Sequence, residues 1–481
     1  MGAQTTPPMS RRSWALLLVL CGTIFLEGAD VAMLGVAVPT IRADLGLGTG
    51  TAAWVMSGYV LGYAGFTLLG GRAADLLGRR RMFLLWLTVF VAFSGLGGFA
   101  TEGWMLVAAR FVTGVAAAFM TPAALSLITT SYPQGPARTR ALMIYAGANA
   151  AGFSLGLVTG GLLTALGWRW VFFAPVLFAA ALLAAALWLV PVDPPRPPRG
   201  TGSFDVFGAV TAAGAMLLTA YGVVRFEHGF HGWPLTVAVL AVGALSAVVF
   251  VRVERRAARP LVRLGIFRRA AMVRADLGAL LFVGSFFGFQ FVLTLYLQEL
   301  RGWSTLQTAF ALIAMGVDAV LAPTLTPVLV RRFGNAWVVL GGFVLATLSY
   351  GLTLRIGSDW SYAAMFPGLL MTGIAFAFVF GPLTVAATDG VDSSEQGLAG
   401  GLLTTCVQFG SAIGISSVTA VYGLAGGDAR LGAFRWALTV PLGMALVGLA
   451  LALYGVYRSR PPKAPSVGDP APRGRRLAAR A

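Results

Sequence analysis

Along 481 residues the sequence returns repeatedly to apolar stretches of about 20 residues, the length an α-helix needs to cross the hydrocarbon core of a bilayer. Fourteen such stretches fall at residues 14–39, 52–71, 82–101, 103–130, 141–166, 169–191, 206–225, 233–251, 274–299, 304–330, 336–354, 361–387, 398–423 and 433–457. Hydrophobic residues make up 57% of the chain and charged residues only 11%, against roughly 25% charged in ordinary soluble domains. So large an apolar surplus needs lipid around it. The expected fold class is an all-α membrane protein with 14 transmembrane helices.

The formal net charge is +17, which in a soluble chain would point to nucleic acid, so the placement of the charge decides its meaning. With the N-terminus inside, the cytoplasmic segments collect Arg11, Arg12, Arg72, Arg79–Arg81, Arg138, Arg140, Arg196, Arg199, the arginines from Arg252 to Arg274, Arg331, Arg332 and the tail from Arg458 to Arg480. The outer face keeps only Arg42, Arg169, Arg225, Arg301, Arg355, Arg430 and Arg435, and Arg110 lies within a span. This is the positive-inside pattern. The basic charge is therefore a topology signal and an attraction to anionic lipid head groups, and no nucleic-acid partner is expected. An even number of spans also puts both termini in the cytoplasm. A single lysine, Lys463, among many Arg, Ala and Gly residues points to a bacterial source, hence the inner membrane.

Cys21 and Cys406 both sit in apolar runs, so no disulfide framework is expected. The first apolar stretch follows Arg11 and Arg12 but runs to about Ile41, contains Glu27 and Asp30, and has no small-x-small cleavage site, so it reads as a retained span. The Pro- and Arg-rich run Pro191–Arg199 and Gly200–Ser203 mark a linker. Arg252–Arg274 intersperses arginines with Leu261, Val262, Leu264, Ile266 and Phe267, as an amphipathic surface segment would. The expected organisation is a cytoplasmic tail 1–13, a six-helix bundle 14–191, the linker 192–205, two additional helices 206–251, the amphipathic segment 252–273, a second six-helix bundle 274–457 and a basic tail 458–481. An internal repeat fits this division: Gly71–Arg79 after the second span matches Leu329–Asn335 after the tenth, with the turn glycine and basic residues in comparable places. The fifth and thirteenth spans, fifth in their halves, are both glycine-rich.

Ionisable side chains at membrane depth cost ~3 kcal/mol or more to insert, so they face protein or water and mark function by default. Asp30 stands nine residues before Pro39, about 13 Å along a helix and near mid-bilayer, with Glu27 one turn away on the same face. Two neighbouring acids titrate as a coupled pair, suited to loading and releasing protons. Arg110 enters from the outer face to a depth of about 10 Å by helical rise, so it can meet Asp30, either as a partner that sets when the acid takes a proton or as a static ion pair. Asp318, midway along the tenth span, reads as a second proton site, a contact for a cationic substrate, or a partner of Gln290 or Gln408. In Gly71–Arg81, Gly71 and Gly78 permit close or left-handed turns, and Asp75 can accept bonds from Arg79 and Arg80 or cap the next helix. Gly152, Gly156, Gly160 and Gly161 make a flat strip on which another helix packs or slides. Asp389, Asp392 and Glu395 read as solvated loop charges. Trp54, Tyr59, Phe289 and Tyr296 are expected mainly as core or interfacial anchors.

Taken together, Asp30–Pro39, Gly71–Arg81, Arg110–Gly114 and the fifth-span glycines resemble the major facilitator superfamily, and within it the fourteen-span drug:proton antiporters. The resemblance covers nearly the whole chain. It departs from the family pattern at Gly35, where Asn is usual, at Thr113, where Gln is usual, and at Leu157, where the antiporter signature has Pro. It implies a major facilitator fold of two six-helix bundles plus two extra central helices, with the Gly71–Arg81 loop as a latch between halves. The implied work is proton-driven export of small hydrophobic or cationic compounds by alternating access, with protons, substrate and the lipid bilayer as partners and the chain a monomer. Proton-coupled import of a small solute is the alternative, kept open by Leu157. No cofactor or metal is expected beyond the proton motive force. An ATP-driven pump lacks its G-x-x-x-x-G-K-[ST] loop. An enzyme is disfavoured because His228 and His231 fall in a short outer loop and no catalytic set can be drawn at membrane depth.

Overall fold

The first two helices already show how the chain crosses and returns: α1 (Arg11–Asp44) and α2 (Thr49–Leu77) are joined by a turn of a few residues. The computed structural model describes residues 10–47, 49–192, 206–225, 233–256, 264–393, 395–426 and 430–459. The helices continue with α3 (Arg79–Gly98), α4 (Gly103–Ser131), α5 (Pro136–Leu166), α6 (Trp170–Leu189), α7 (Val206–Val224), α8 (Trp233–Arg256) and α9 (Ala270–Leu295). After a π-turn at Tyr296–Leu300 come α10 (Thr305–Leu312), α11 (Asp318–Thr324), α12 (Thr326–Phe333), α13 (Asn335–Thr353), α14 (Tyr362–Thr388), α15 (Gln396–Leu424) and α16 (Leu431–Ser459). Among the described residues, twelve helices are long and apolar enough to cross a membrane, and Phe207–Val223 is a shorter apolar helix. The linker 193–205, the histidines His228 and His231, the amphipathic residues Leu261 and Val262, and the tails 1–9 and 460–481 lie outside the described residues.

Local chemistry sets many of the ends. Ser10 accepts a bond from the Ser13 amide to cap α1, Ser361 caps α14 through Ala364, and Ser304 with Gln307 forms a reciprocal capping box on α10. Gly78 (φ 114°) and Gly334 (φ 86°) turn the chain into α3 and α13 from conformations that side chains rarely adopt. These are the turn glycines of the internal repeat, now seen at matched corners of the two halves.

The continuous tenth span expected at 304–330 is instead broken. Between α10 and α11 the chain tightens into a 3-10 turn, Ile313–Val317, and α11 gives way to α12 at Leu325. Pro323 and Pro327 remove two amide donors from this stretch. The Thr326 hydroxyl donates to the Ala377 carbonyl 3.2 Å away on α14 and ties the break to its neighbour.

The helices pack in the same way in each half. In the first, α1 lies on α5, α2 on α4 and α3 on α6; in the second, α9 lies on α15, α11 on α14 and α13 on α16. The halves meet where α2 and α4 pack on α15 and where α5 packs on α10, α11 and α14. The α7–α8 hairpin docks against α2, and α7 also reaches α15, so it covers one of the two seams between the halves. There Leu61 and Ala64 of α2 share an apolar cluster with Ala220 and Tyr221 of α7 and with Phe409 of α15. Tyr59, Phe289 and Tyr296 are core residues, as expected, whereas Trp54 is exposed and stacks on Tyr221.

Candidate functional site

Asp30 and Glu27 both point from α1 into the interior of the first half, 3% and 5% exposed. Arg110 of α4 reaches Asp30, with Nη1 2.5 Å from Oδ2, and its guanidinium lies 4.4 Å from the centre of the Tyr59 ring. The matched depths drawn from helical rise therefore bring the pair together. Glu27, one turn earlier, has hydroxyl partners: Tyr63 of α2 donates to Oε2 at 2.8 Å and Thr121 of α4 donates to Oε1. One acid is held by a fixed positive charge and the other by neutral donors. Tyr63 and Thr121 went unremarked in the sequence because hydroxyls are common and nothing local ties them to Glu27.

Asp318 is separate from this cluster. It lies in a cavity of about 50 Å³ at the seam between α5 on one side and α9, α11 and α14 on the other. Phe153, Phe286, Phe287, Phe376 and Phe380 line it, with Asn149, Gln290 and Leu157. The Asp318 side chain is 2% exposed, and neither carboxylate oxygen makes a well-formed hydrogen bond; the Gln290 carbonyl oxygen is likewise unbonded. Gln290, one of the two expected neighbours, thus shares the cavity without closing a bond. A space this size holds a few waters and no drug-sized molecule.

The face carrying Arg79–Arg81 is closed by contacts between halves. Asp75 caps α15 of the opposite half, accepting from the amides of Gly397 at 3.0 Å and Leu398 at 2.9 Å, while Arg79 lies 3.4 Å from its Oδ1. The expectation that Asp75 can cap the next helix is corrected: α3 begins at Arg79 after Gly78 without a side-chain cap, because the unsatisfied amides at the start of α15 are the ones within reach. Burial pushes the Asp75 carboxyl above its usual range, against the opposing pull of the Leu398 and Gly397 amides and of Arg79 and Arg72. Arg79 also donates to the Ser393 carbonyl, and Arg269 to the Gly390 carbonyl, so both hold the loop before α15. Arg80 instead ties α3 to the Leu187 carbonyl of α6 within its own half, 2.7 Å away. Gly71 packs directly on Gly397, and a Cβ there would come 3.0 Å from the Gly401 Cα. Glu395, read as a solvated loop charge, is buried beside this contact, because the loop folds inward to start α15.

Gly152, Gly156 and Gly160 lie against the α1 backbone at Phe25, Ala29 and Met33, where a Cβ on Gly156 or Gly160 would stand 2.6 Å from the facing Cα. Gly161 does not belong to that strip. It follows Gly160 by about 100° around the helix and faces Leu306 of the other half, 3.5 Å from where its Cβ would be. Gly410 and Gly414 of α15 play the matching part against α9 at Leu280 and Gly284. Two buried acids, Asp276 near the start of α9 and Glu254 near the end of α8, were missed because each sits at the edge of an apolar run.

The family model described as Major Facilitator Superfamily matches residues 20–415 and 319–480. The cephamycin export protein CmcT of Amycolatopsis lactamdurans is 34% identical over 96% of this chain and 97% of its own length. The puromycin resistance protein of Streptomyces alboniger is 32% identical over 86% of this chain and 82% of its own. The crystal structure of the human organic anion transporter MFSD10 (TETRAN) shares the fold, with a TM-score of 0.65 at 19% identity over 91% of this chain and 97% of that one. With this fold, this closing loop and these relatives, the chain belongs to the major facilitator superfamily.

Proposed function

We propose that the protein is a proton-driven exporter of small hydrophobic or cationic compounds in a bacterial plasma membrane, working by alternating access. The names of the relatives, a cephamycin exporter and a puromycin resistance protein, support export of toxic metabolites or drugs. Adding α2 and α7 to the twelve long apolar helices gives fourteen spans, with the broken α10–α12 stretch as one of them. The domain limits given by the sequence follow from that count. The positive-inside rule makes the basic face cytoplasmic and puts both termini there.

The observation that carries the reading is the pairing of Asp30 with Arg110 deep in the first half, one turn from a carboxyl held only by hydroxyls. Arg110 cannot give up its own proton, so it holds Asp30 in an ion pair until the helices shift and the pair loosens. Glu27, Asp30 and Arg110 then form a proton-coupling unit, with Asp318 a second acid at the seam between α5 and the second half. A proton bound in this unit and a substrate bound between the halves favour different arrangements of the two bundles, and that difference couples their movements. The Gly71–Arg81 loop latches the cytoplasmic face in one of those arrangements, and the chain acts as a monomer whose only energy source is the proton gradient.

The test is substrate flux in proteoliposomes under an imposed pH gradient. Asp30→Asn is expected to insert and fold but to lose gradient-driven transport. Undiminished export by that variant at the same gradient would sink the mechanism, and substrate moving with the protons instead of against them would assign symport.

A further inference from the structure

Hydroxyls from three helices surround Glu27, and one of them is left without a bond. Tyr63 of α2 and Thr121 of α4 donate to the two carboxyl oxygens. Tyr145 of α5 is 5% exposed, and its hydroxyl, within electrostatic reach of Glu27 and Tyr63, has no hydrogen-bond partner. We propose that the Tyr145 hydroxyl relays the Glu27 proton toward the basic face. The proposal rests on the proton-driven reading and adds the route by which the proton leaves.

A packing role does not account for this hydroxyl. Buried tyrosine hydroxyls ordinarily find a partner, and a phenylalanine would fill the same space without the cost of an unmet polar group. The register of the helices gives the direction. Gly152 faces Phe25, Gly156 faces Ala29 and Gly160 faces Met33, so α1 and α5 rise together from the basic face. Tyr145 precedes Gly152 by seven residues, or about two turns, and so approaches Glu27 from the basic side. Tyr59 is the other unbonded hydroxyl near the acids, but it stands one turn to the outer side of Tyr63, against Arg110, and lies off that route.

The seam between the halves brings water to this point. Ala146 packs on Gly381 of α14, and Gly147 packs on Ala319 and Pro323 of α11, so the residues next to Tyr145 belong to the contact that parts when the basic face opens. The glycine strip holds α1 on α5 through that movement, and Tyr145 keeps its place near Glu27. In the closed form Glu27 is bonded to Tyr63 and Thr121, so release requires it to turn from them to Tyr145. The Glu27 O–H bond then breaks and its proton adds to the Tyr145 oxygen, while the tyrosine's own proton passes to water at the open seam. Glu27 is left as a carboxylate, and the tyrosine is left neutral with its hydroxyl re-formed.

Proteoliposomes carrying the full-length protein, with ethidium as the probe, separate two kinds of movement. Uptake driven by an imposed pH gradient requires a proton to leave on the basic side; exchange of ethidium for ethidium at equal pH on both sides requires none. Tyr145→Phe is expected to slow gradient-driven uptake at least tenfold, to leave exchange and the KM for ethidium within a factor of two, and to unfold no earlier than wild type. Tyr350→Phe, which removes a buried hydroxyl of the second half, should keep both movements. Full gradient-driven uptake by Tyr145→Phe overturns the inference. Equal loss of uptake and exchange, or an earlier unfolding midpoint, also overturns it by assigning the hydroxyl to the fold. Wild-type uptake indifferent to the gradient sinks the proton-driven reading itself, whereas a gradient-driven wild type beside an unimpaired Tyr145→Phe sinks the relay alone.

Discussion

Asp30 and Glu27 are one turn apart on α1, yet Asp30 meets a guanidinium and Glu27 meets two hydroxyls. Removing Arg110 leaves a buried charge uncompensated, a loss worth about 3–5 kcal/mol. Arg110→Ala is therefore expected to lower the thermal unfolding midpoint sharply in detergent, and Asp30→Asn/Arg110→Ala to recover most of it; a double variant no better than the single one would show that the pair is not coupled. Glu27→Gln keeps an acceptor for one of the two hydroxyls, offers the other an amide donor, and removes the ionisable proton. It should unfold within ~1 kcal/mol of wild type while gradient-driven transport falls at least tenfold. The Asp30–Arg110 contact was legible because helical rise alone puts both residues at one depth. The hydroxyls around Glu27 and the rings around Asp318 were not, since they come from other helices and only packing selects them.

At the scale of a helix, the four glycines of α5 divide into two kinds. Gly156 touches the α1 backbone so closely that a methyl group would sit 2.6 Å from the Ala29 Cα, and neither backbone can give way without parting the helices. Gly161 has ordinary contact distance to a flexible leucine end. Gly156→Ala should thus abolish transport or stable folding, and Gly161→Ala should change both by less than a factor of two, as read by flux and by size-exclusion profile after heating. Equal damage from both would mean that the strip is not a helix contact. The sequence signalled the glycines but not which of them share a face with Gly152, because a run ending in two adjacent glycines leaves the contact to the three-dimensional register. The break in the tenth span was signalled too, by Pro323 and Pro327, yet hydropathy alone reads straight across it.

For the molecule as a whole, the repeat, the two bundles and the Gly71–Arg81 corner were legible because each leaves a local trace: span length, a turn glycine, clustered arginines. The partner of that corner was not, because it lies more than three hundred residues away at the start of α15. Asp75 there accepts two backbone amides that would otherwise be unsatisfied, and hydrogen bonds to a charged group contribute about 1.5–3 kcal/mol each. Losing one such contribution moves a two-state balance by roughly 10- to 100-fold toward the form in which the basic face is open. Leu125 of α4 is buried against Gly400 of α15 in the closed form, so its exposure is expected to report that balance. In a background without Cys21 and Cys406, Leu125→Cys should react slowly with a charged maleimide applied from the basic side. Adding Asp75→Ala should speed that reaction at least tenfold, and adding Gly71→Leu, whose side chain collides with Gly397, should do the same without touching any charge. An unchanged rate in both would mean that the contact between α2 and α15 does not hold the face shut, and acceleration by Asp75→Ala alone would assign the holding force to the carboxylate and not to the close backbone approach.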